Sequence, residues 1–213
     1  MEKKSRIAIV DFGLKPTRIP KSPIFHIRAE SMNFEVEQKH RIENPEALVE
    51  RLTVRGVRFE TPVMQSDQYF AHPARDFAQT DEALRIRTSN GASYVTYKGP
   101  KLDTATKTRR ELELRIDPND IAGERFAELL RSLGFTPVAN VCKERREFQL
   151  LSNEQRVQGA LEDVVGVGCF IELELIAEEA ELEEAQRIIC ELAAELQLGP
   201  PERRSYLEMV LEK

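Results

Sequence analysis

An α+β fold built on about eight mostly antiparallel strands is what this sequence predicts, on three observations. Charged and apolar residues alternate strictly over many short runs, as half-buried strands require. Turn signals, Asn90-Gly91 and the Gly166/Gly168 pair among them, separate neighbouring runs by hairpin distances. Helical periodicity is confined to a few junctions and one long stretch near the C-terminus.

The elements follow in order. Residues 33–43 alternate and read as a strand. Asn44-Pro45 then supplies an N-cap and an N1 proline for a helix over 46–55, which stops at Gly56. Residues 57–59 and 63–69 read as short strands, 72–81 as a loop and 83–87 as a strand. Asn90-Gly91 turns the chain into a returning strand over 93–98, closed by Gly99-Pro100. Residues 109–116 form another strand, and Asp117-Pro118-Asn119 opens a helix that ends at Gly134. Strands over 140–150, 156–162 and 169–176 follow, the last two joined through Gly166 and Gly168. A long helix over 178–198 is broken by Gly199-Pro200-Pro201, and a short helix over 205–211 closes the series.

Composition narrows the function. A chain of 213 residues suits one domain with at most an appendage. No run approaches 18 apolar residues, so no transmembrane helix is expected. The net charge of −6 argues against general nucleic-acid binding. Three scattered cysteines with no C-x-x-C pair fit a reducing cytoplasm. Residues 1–31 differ from the rest: seven Lys or Arg against three acids, three prolines and no periodicity read as a basic, flexible extension. It lacks the apolar stretch of a secretory signal, and Met32 stands as an alternative start.

The strands carry charge on one face. Side chains two apart share a face. That groups Glu35, Glu37, Lys39 and Arg41; Arg85 and Arg87; Arg109, Glu111, Glu113 and Arg115; Lys143, Arg145 and Glu147; and Glu172 with Glu174. One wet sheet face explains plain alternation. It does not explain faces of nearly pure charge, with glutamate pairs in three strands, basic pairs in two others, and E-x-E spacing recurring at 35/37, 111/113 and 172/174. Carboxylates are the hard ligands that Mg²⁺ or Mn²⁺ prefer, and guanidinium and ammonium groups grip phosphate. If the sheet closes, these faces line an interior tunnel and helices cover the apolar faces outside.

Glu35-Val36-Glu37-Gln38-Lys39 matches an E-x-E-x-K signature, and its surroundings follow in order. These are Gln65-Ser66-Asp67-Gln68-Tyr69-Phe70, Ala83-Leu84-Arg85-Ile86-Arg87, Thr96-Tyr97-Lys98-Gly99-Pro100, Arg110-Glu111-Leu112-Glu113, Val141-Cys142-Lys143-Glu144-Arg145 and Gly166-Val167-Gly168-Cys169-Phe170-Ile171-Glu172-Leu173-Glu174, with Arg204-Ser205-Tyr206-Leu207 near the end. In these motifs the sequence resembles the CYTH superfamily, or triphosphate tunnel metalloenzymes, and most of all its class IV adenylyl cyclase branch. The resemblance implies a closed eight-stranded antiparallel β-barrel, the triphosphate tunnel, over 32–213, with helices packed outside. It implies conversion of ATP to cyclic AMP and pyrophosphate by two-metal catalysis with Mg²⁺ or Mn²⁺. A triphosphatase acting on tripolyphosphate or thiamine triphosphate is the alternative, and a non-catalytic triphosphate-binding module the third reading. Relatives often form homodimers; nucleic-acid and membrane partners are not expected.

By motif position, the resemblance makes Glu35, Glu37, Glu172 and Glu174 metal ligands. Lys39, Arg85, Arg87, Lys98, Lys143 and Arg145 would hold the triphosphate. Glu111 and Glu113 form a further acidic pair, and Arg109 or Arg110 a further basic position. The family's D-x-V-x-G frame puts Glu162 where Asp is usual, with Asp163 beside it, and either is the carboxylate near the metal. Lys39 or Lys98, its pKa lowered among other cations, is the candidate for proton removal. His40, Cys142 and Cys169 read as packing and His72 as surface; Tyr94 shares parity with Lys98.

Overall fold

The computed structural model describes residues 34–100, 109–116 and 120–213. The expected basic extension over 1–31 and the helix start at 117–119 lie outside the described residues. Eight strands are present: β1 (Phe34–Arg41), β2 (Val63–Ala71), β3 (Ala83–Ser89), β4 (Ala92–Lys98), β5 (Arg109–Ile116), β6 (Thr136–Ser152), β7 (Gln155–Val164) and β8 (Gly168–Ala177). They close into a barrel in the order β1-β5-β4-β3-β2-β6-β7-β8, every pair antiparallel. The helices are α1 (Pro45–Val54), α2 (Phe77–Thr80), α3 (Asp120–Ser132), α4 (Leu182–Glu195) and α5 (Tyr206–Leu211).

The barrel is built inside out. Its main hydrophobic cluster lies outside the wall, where Ile188, Ile189 and Leu192 of α4 pack on Val36, Ile171 and Leu173 of β1 and β8. Each such fully buried side chain stabilises the fold by about 1.5–3 kcal/mol. On the far side Ala127 and Leu130 of α3 cover Phe70 and Ile86. A third cluster plugs the barrel from within. Tyr206 and Met209 of α5 meet Tyr69, Val141, Val164 and Phe170. Those four share strand parity with Asp67, Lys143, Glu162 and Glu172, the tunnel-facing side.

Local chemistry sets the turns. Asn44 caps α1 by accepting from Ala47 N–H at 3.0 Å, ahead of Pro45. Asn90 and Gly91 both have left-handed backbone, φ 49° and 71°, giving the tight hairpin between β3 and β4. Gly159 faces Phe148 across β6 and β7. A Cβ there would stand 2.2 Å from the Phe148 ring, itself fully buried and edge-on to Phe59. Gly159→Ala is therefore expected to destabilise by about 1–3 kcal/mol, read as a lower urea midpoint with unchanged slope.

Several expectations are corrected. The 72–81 loop contains α2, capped by Asp76. Of 57–59, only Phe59 bridges, to Phe148. The sixth strand starts at Thr136, and the long helix is a 3₁₀ turn over Glu179–Glu181 followed by α4. Helices do not cover every outer face: among the described residues Leu112 and Leu114 of β5 are 45% and 60% exposed. Cys142 and Cys169 are half-buried, and all three cysteines are free. His40 is buried, as expected of packing, with Nδ1 2.7 Å from Gly199 O. Among the described residues no helix is long and apolar enough to cross a membrane.

Candidate active site

Strand parity turns the charged faces inward. Glu35, Glu37, Lys39, Arg85, Arg87, Lys98, Arg109, Glu111, Glu113, Lys143, Arg145, Glu172 and Glu174 all line one cavity of about 860 Å³. Arg109, not Arg110, faces it, and Arg110 is exposed. Parity overreaches at strand ends: Arg41 and Arg115 are exposed. Tyr94 does not line the cavity. Glu162 is on the tunnel-facing side but fully buried beneath the cavity lining, where it accepts from Lys143 Nζ at 2.6 Å and from Arg145 Nη1. Asp163, one residue on, faces out and is exposed.

Pairing fixes these charges. Lys98 Nζ sits 2.7 Å from Glu35 and 2.5 Å from Glu111. Burial opposes the Lys98 charge, but the two carboxylates outweigh it and hold its pKa above the ordinary lysine value. That corrects the expectation of a lowered Lys98. Burial pushes Glu35 up against the pull of Lys98, and a hydrogen bond with Glu111 raises it further. Glu111 is half-buried, which raises it, yet the bond from Glu35 and the charges of Lys98 and Arg85 bring it down to about 2. Arg145 reaches Glu172 at 3.1 Å.

One anchor was missed at the sequence level. Asp67 of β2 is 1% exposed and takes Arg87 Nε and Nη2 at 2.7 Å each and Arg85 Nη1 at 3.2 Å. Burial would raise its pKa, but the two guanidiniums hold it well below the usual carboxylate range. A lone Asp among Gln, Ser and Tyr gives no alternation of charge; only its shared parity with Gln65 and Tyr69 marks it. Thr96, which donates to Glu113 at 2.9 Å, and Tyr206 also line the cavity.

The donor chemistry, carboxylate oxygens, is the kind that divalent cations take. Glu37 and Glu174 stand opposite each other across β1 and β8, and Glu172 lies beside Lys39. Among the described residues no three carboxylates stand together in ligating geometry, since several are held by Lys98 and Arg145. Glu174 carries the sign of the missing balance. Burial, then the charges of Glu35 and Glu37, push its pKa up to about 8 against the pull of Lys98. A dication is what would relieve such crowded negative charge.

Comparison with known proteins agrees with this architecture. The model of the CYTH domain matches residues 33–206. A Methanocaldococcus jannaschii protein named "Putative adenylate cyclase" is 36% identical over 178 residues, covering 82% of this chain and 97% of that protein. A solved Pyrococcus horikoshii structure is 40% identical with a TM-score of 0.73, covering 84% of this chain and 98% of that one. A Hippeastrum protein described as a "Putative adenylyl cyclase" that "reveals a dominant" triphosphatase activity is 17% identical with a TM-score of 0.61, over 85% and 96% of the two chains, and shares the fold. With the model matched along most of its length and the barrel closed, this chain belongs to the CYTH domain family.

Proposed function

We propose that the chain converts ATP to cyclic AMP and pyrophosphate in its tunnel, as a class IV adenylyl cyclase, with Mg²⁺ or Mn²⁺. The observation that carries this reading is a single cavity with two chemistries. Seven basic and six acidic side chains line its inner wall. That near balance suits an anion and cations bound together, and neither alone. At one mouth, α2 and α5 add Phe77, Leu207 and Leu211, with Val138 of β6. Val138 and Leu211 stay 40% and 57% exposed. A bare polyphosphate has no apolar surface for them to cover; a nucleobase does.

Arg85, Arg87 and Arg109 would grip phosphate oxygens. Arg85 and Arg109 each keep a buried Nε without a hydrogen-bond partner. Asp67 orients the first two arginines, and Glu162 orients Lys143 and Arg145. Glu35, Glu37, Glu172 and Glu174 would hold the cations, with Glu111 and Glu113 beside them. Divalent ions there would supply positive charge to phosphate oxygens as the leaving group departs. The ribose 3′ oxygen bonds to the α-phosphorus and gives up its proton to solvent water, while the bond to the bridging oxygen of pyrophosphate breaks. The basic wall stabilises the charge that develops on that pyrophosphate. Lys98 between two carboxylates is held as an ammonium ion, and Lys39 donates to a carbonyl oxygen. We assign both to neutralising phosphate and not to accepting the hydroxyl proton.

Hydrolysis of tripolyphosphate or an organic triphosphate would use the same walls. Separate incubations with ATP and tripolyphosphate, with Mg²⁺ or Mn²⁺, decide between them. Cyclic AMP with equimolar pyrophosphate is expected from ATP. Phosphate without cyclic AMP would make the chain a triphosphatase, and tight binding without product a binding module.

A further inference from the structure

Within the Arg204-Ser205-Tyr206-Leu207 motif, Tyr206 has no role in the chemistry above, yet the fold drives it into the tunnel. A capping box fixes the turn: Ser205 Oγ accepts from Glu208 N–H at 3.1 Å and Glu208 accepts from Ser205 N–H at 2.5 Å. The Arg204 guanidinium is tied to Glu202 and Glu212. The turn so held presents two groups to the tunnel. The Arg204 carbonyl accepts from Lys39 Nζ at 2.6 Å. The Tyr206 ring has its centroid 3.9 Å from Lys39 Nζ and 5.0 Å from Lys143 Nζ. Those lysines come from β1 and β6, which are not neighbours in the barrel. One aromatic ring thus joins cations from separated parts of the wall.

We propose that Tyr206 is a positioning residue of the triphosphate site: its ring holds the ammonium groups of Lys39 and Lys143 where the phosphates are gripped. The proposal rests on the triphosphate reading of those lysines. Lysine is a point charge on a flexible four-carbon stem; Glu162 and the Arg204 carbonyl each hold one side of these two head groups, and the ring closes another. An aromatic face attracts a buried ammonium more strongly than an exposed one, and Lys39 and Lys143 are 1% and 2% exposed. The Tyr206 hydroxyl is buried toward the Glu162 carboxylate without closing a hydrogen bond of good geometry, so it is a weak anchor for the ring. Phenylalanine therefore separates ring from hydroxyl.

The test is calorimetric binding of tripolyphosphate with Mg²⁺, alongside KM and kcat for the turned-over triphosphate. Tyr206→Leu is expected to raise Kd and KM about tenfold to a hundredfold with a smaller change in kcat. Tyr206→Phe is expected to stay within about threefold of wild type, because the π face remains. Met209 shares the plug with Tyr206 but offers no π face. Met209→Ala is expected to lower the melting temperature and leave KM within about threefold. If Tyr206→Leu does not fold, Tyr206→Met fills more of the ring's volume without a π face and carries the same expectation. The proposal fails if the Leu or Met variant keeps wild-type KM, if Phe is as damaging as Leu, or if Met209→Ala weakens binding as much. Wild-type protein that binds neither tripolyphosphate nor ATP would instead sink the triphosphate reading itself.

Discussion

Glu37→Gln is expected to lower metal-dependent turnover by about a thousandfold or more while the barrel stays folded. The substitution keeps the size and hydrogen-bonding reach of the side chain and removes one charge. Glu37 faces Glu174 across β1 and β8 in a buried wall. Its charge helps to push Glu174 up to about 8, behind burial and Glu35. Removing it relieves like-charge repulsion, so thermal stability without added metal should be unchanged or higher. The lost carboxylate is a hard oxygen donor, which a neutral amide replaces poorly for Mg²⁺ or Mn²⁺. Turnover against metal concentration, with a melting curve on the same sample, reads both halves. Full activity in this variant would remove Glu37 from the cation site.

Asp67→Asn is expected to cost about 3 kcal/mol of stability at pH 7 by leaving two guanidiniums short of their counter-charge. Asp67 binds Arg87 through two hydrogen bonds and Arg85 through one, with both arginine side chains mostly buried. The pH dependence has a defined sign. The folded-state pKa of Asp67 lies below its unfolded value of 3.8. Its contribution is therefore complete above about pH 4 and is lost as pH falls toward the folded value. Urea unfolding of wild type and variant should show a full gap at pH 7 that narrows below about pH 4. A gap that stays constant across that range would mean that the carboxylate charge is not what matters at this position. Affinity for the triphosphate should fall as well, because the arginines lose the group that aims them.

How far the site was legible follows from strand geometry. A period of two has no freedom, so once Glu35, Glu37 and Lys39 share a face, closing the sheet sends all three inward. Arg85 with Arg87, and Glu172 with Glu174, followed by the same argument. Parity alone does not say where a strand stops being wall, which is why Arg41 and Arg115 end outside. It also settled Arg109 over Arg110 only once β5 was seen to pair with β1 at Glu35. Asp67 stayed hidden because its meaning depends on β3 lying beside β2, a long-range pairing. Tyr206 stayed hidden for a similar reason. It sits on a helix of six residues whose pattern says nothing of where the helix docks. The four residues of α2 were too few to show any periodicity.

The first and last strands of the barrel are paired along all eight registered positions of β1. During synthesis β1 therefore emerges early and waits: β5 pairs only two of its positions, and its full-length partner β8 is made after six other strands. Such non-local pairing raises contact order and slows folding, because a long loop must close before any contact rewards it. Until β8 leaves the ribosome, the gap between β7 and β1 stays open. The nascent chain thus has no closed wall, and ring closure is the step on which burial of the inward charges waits.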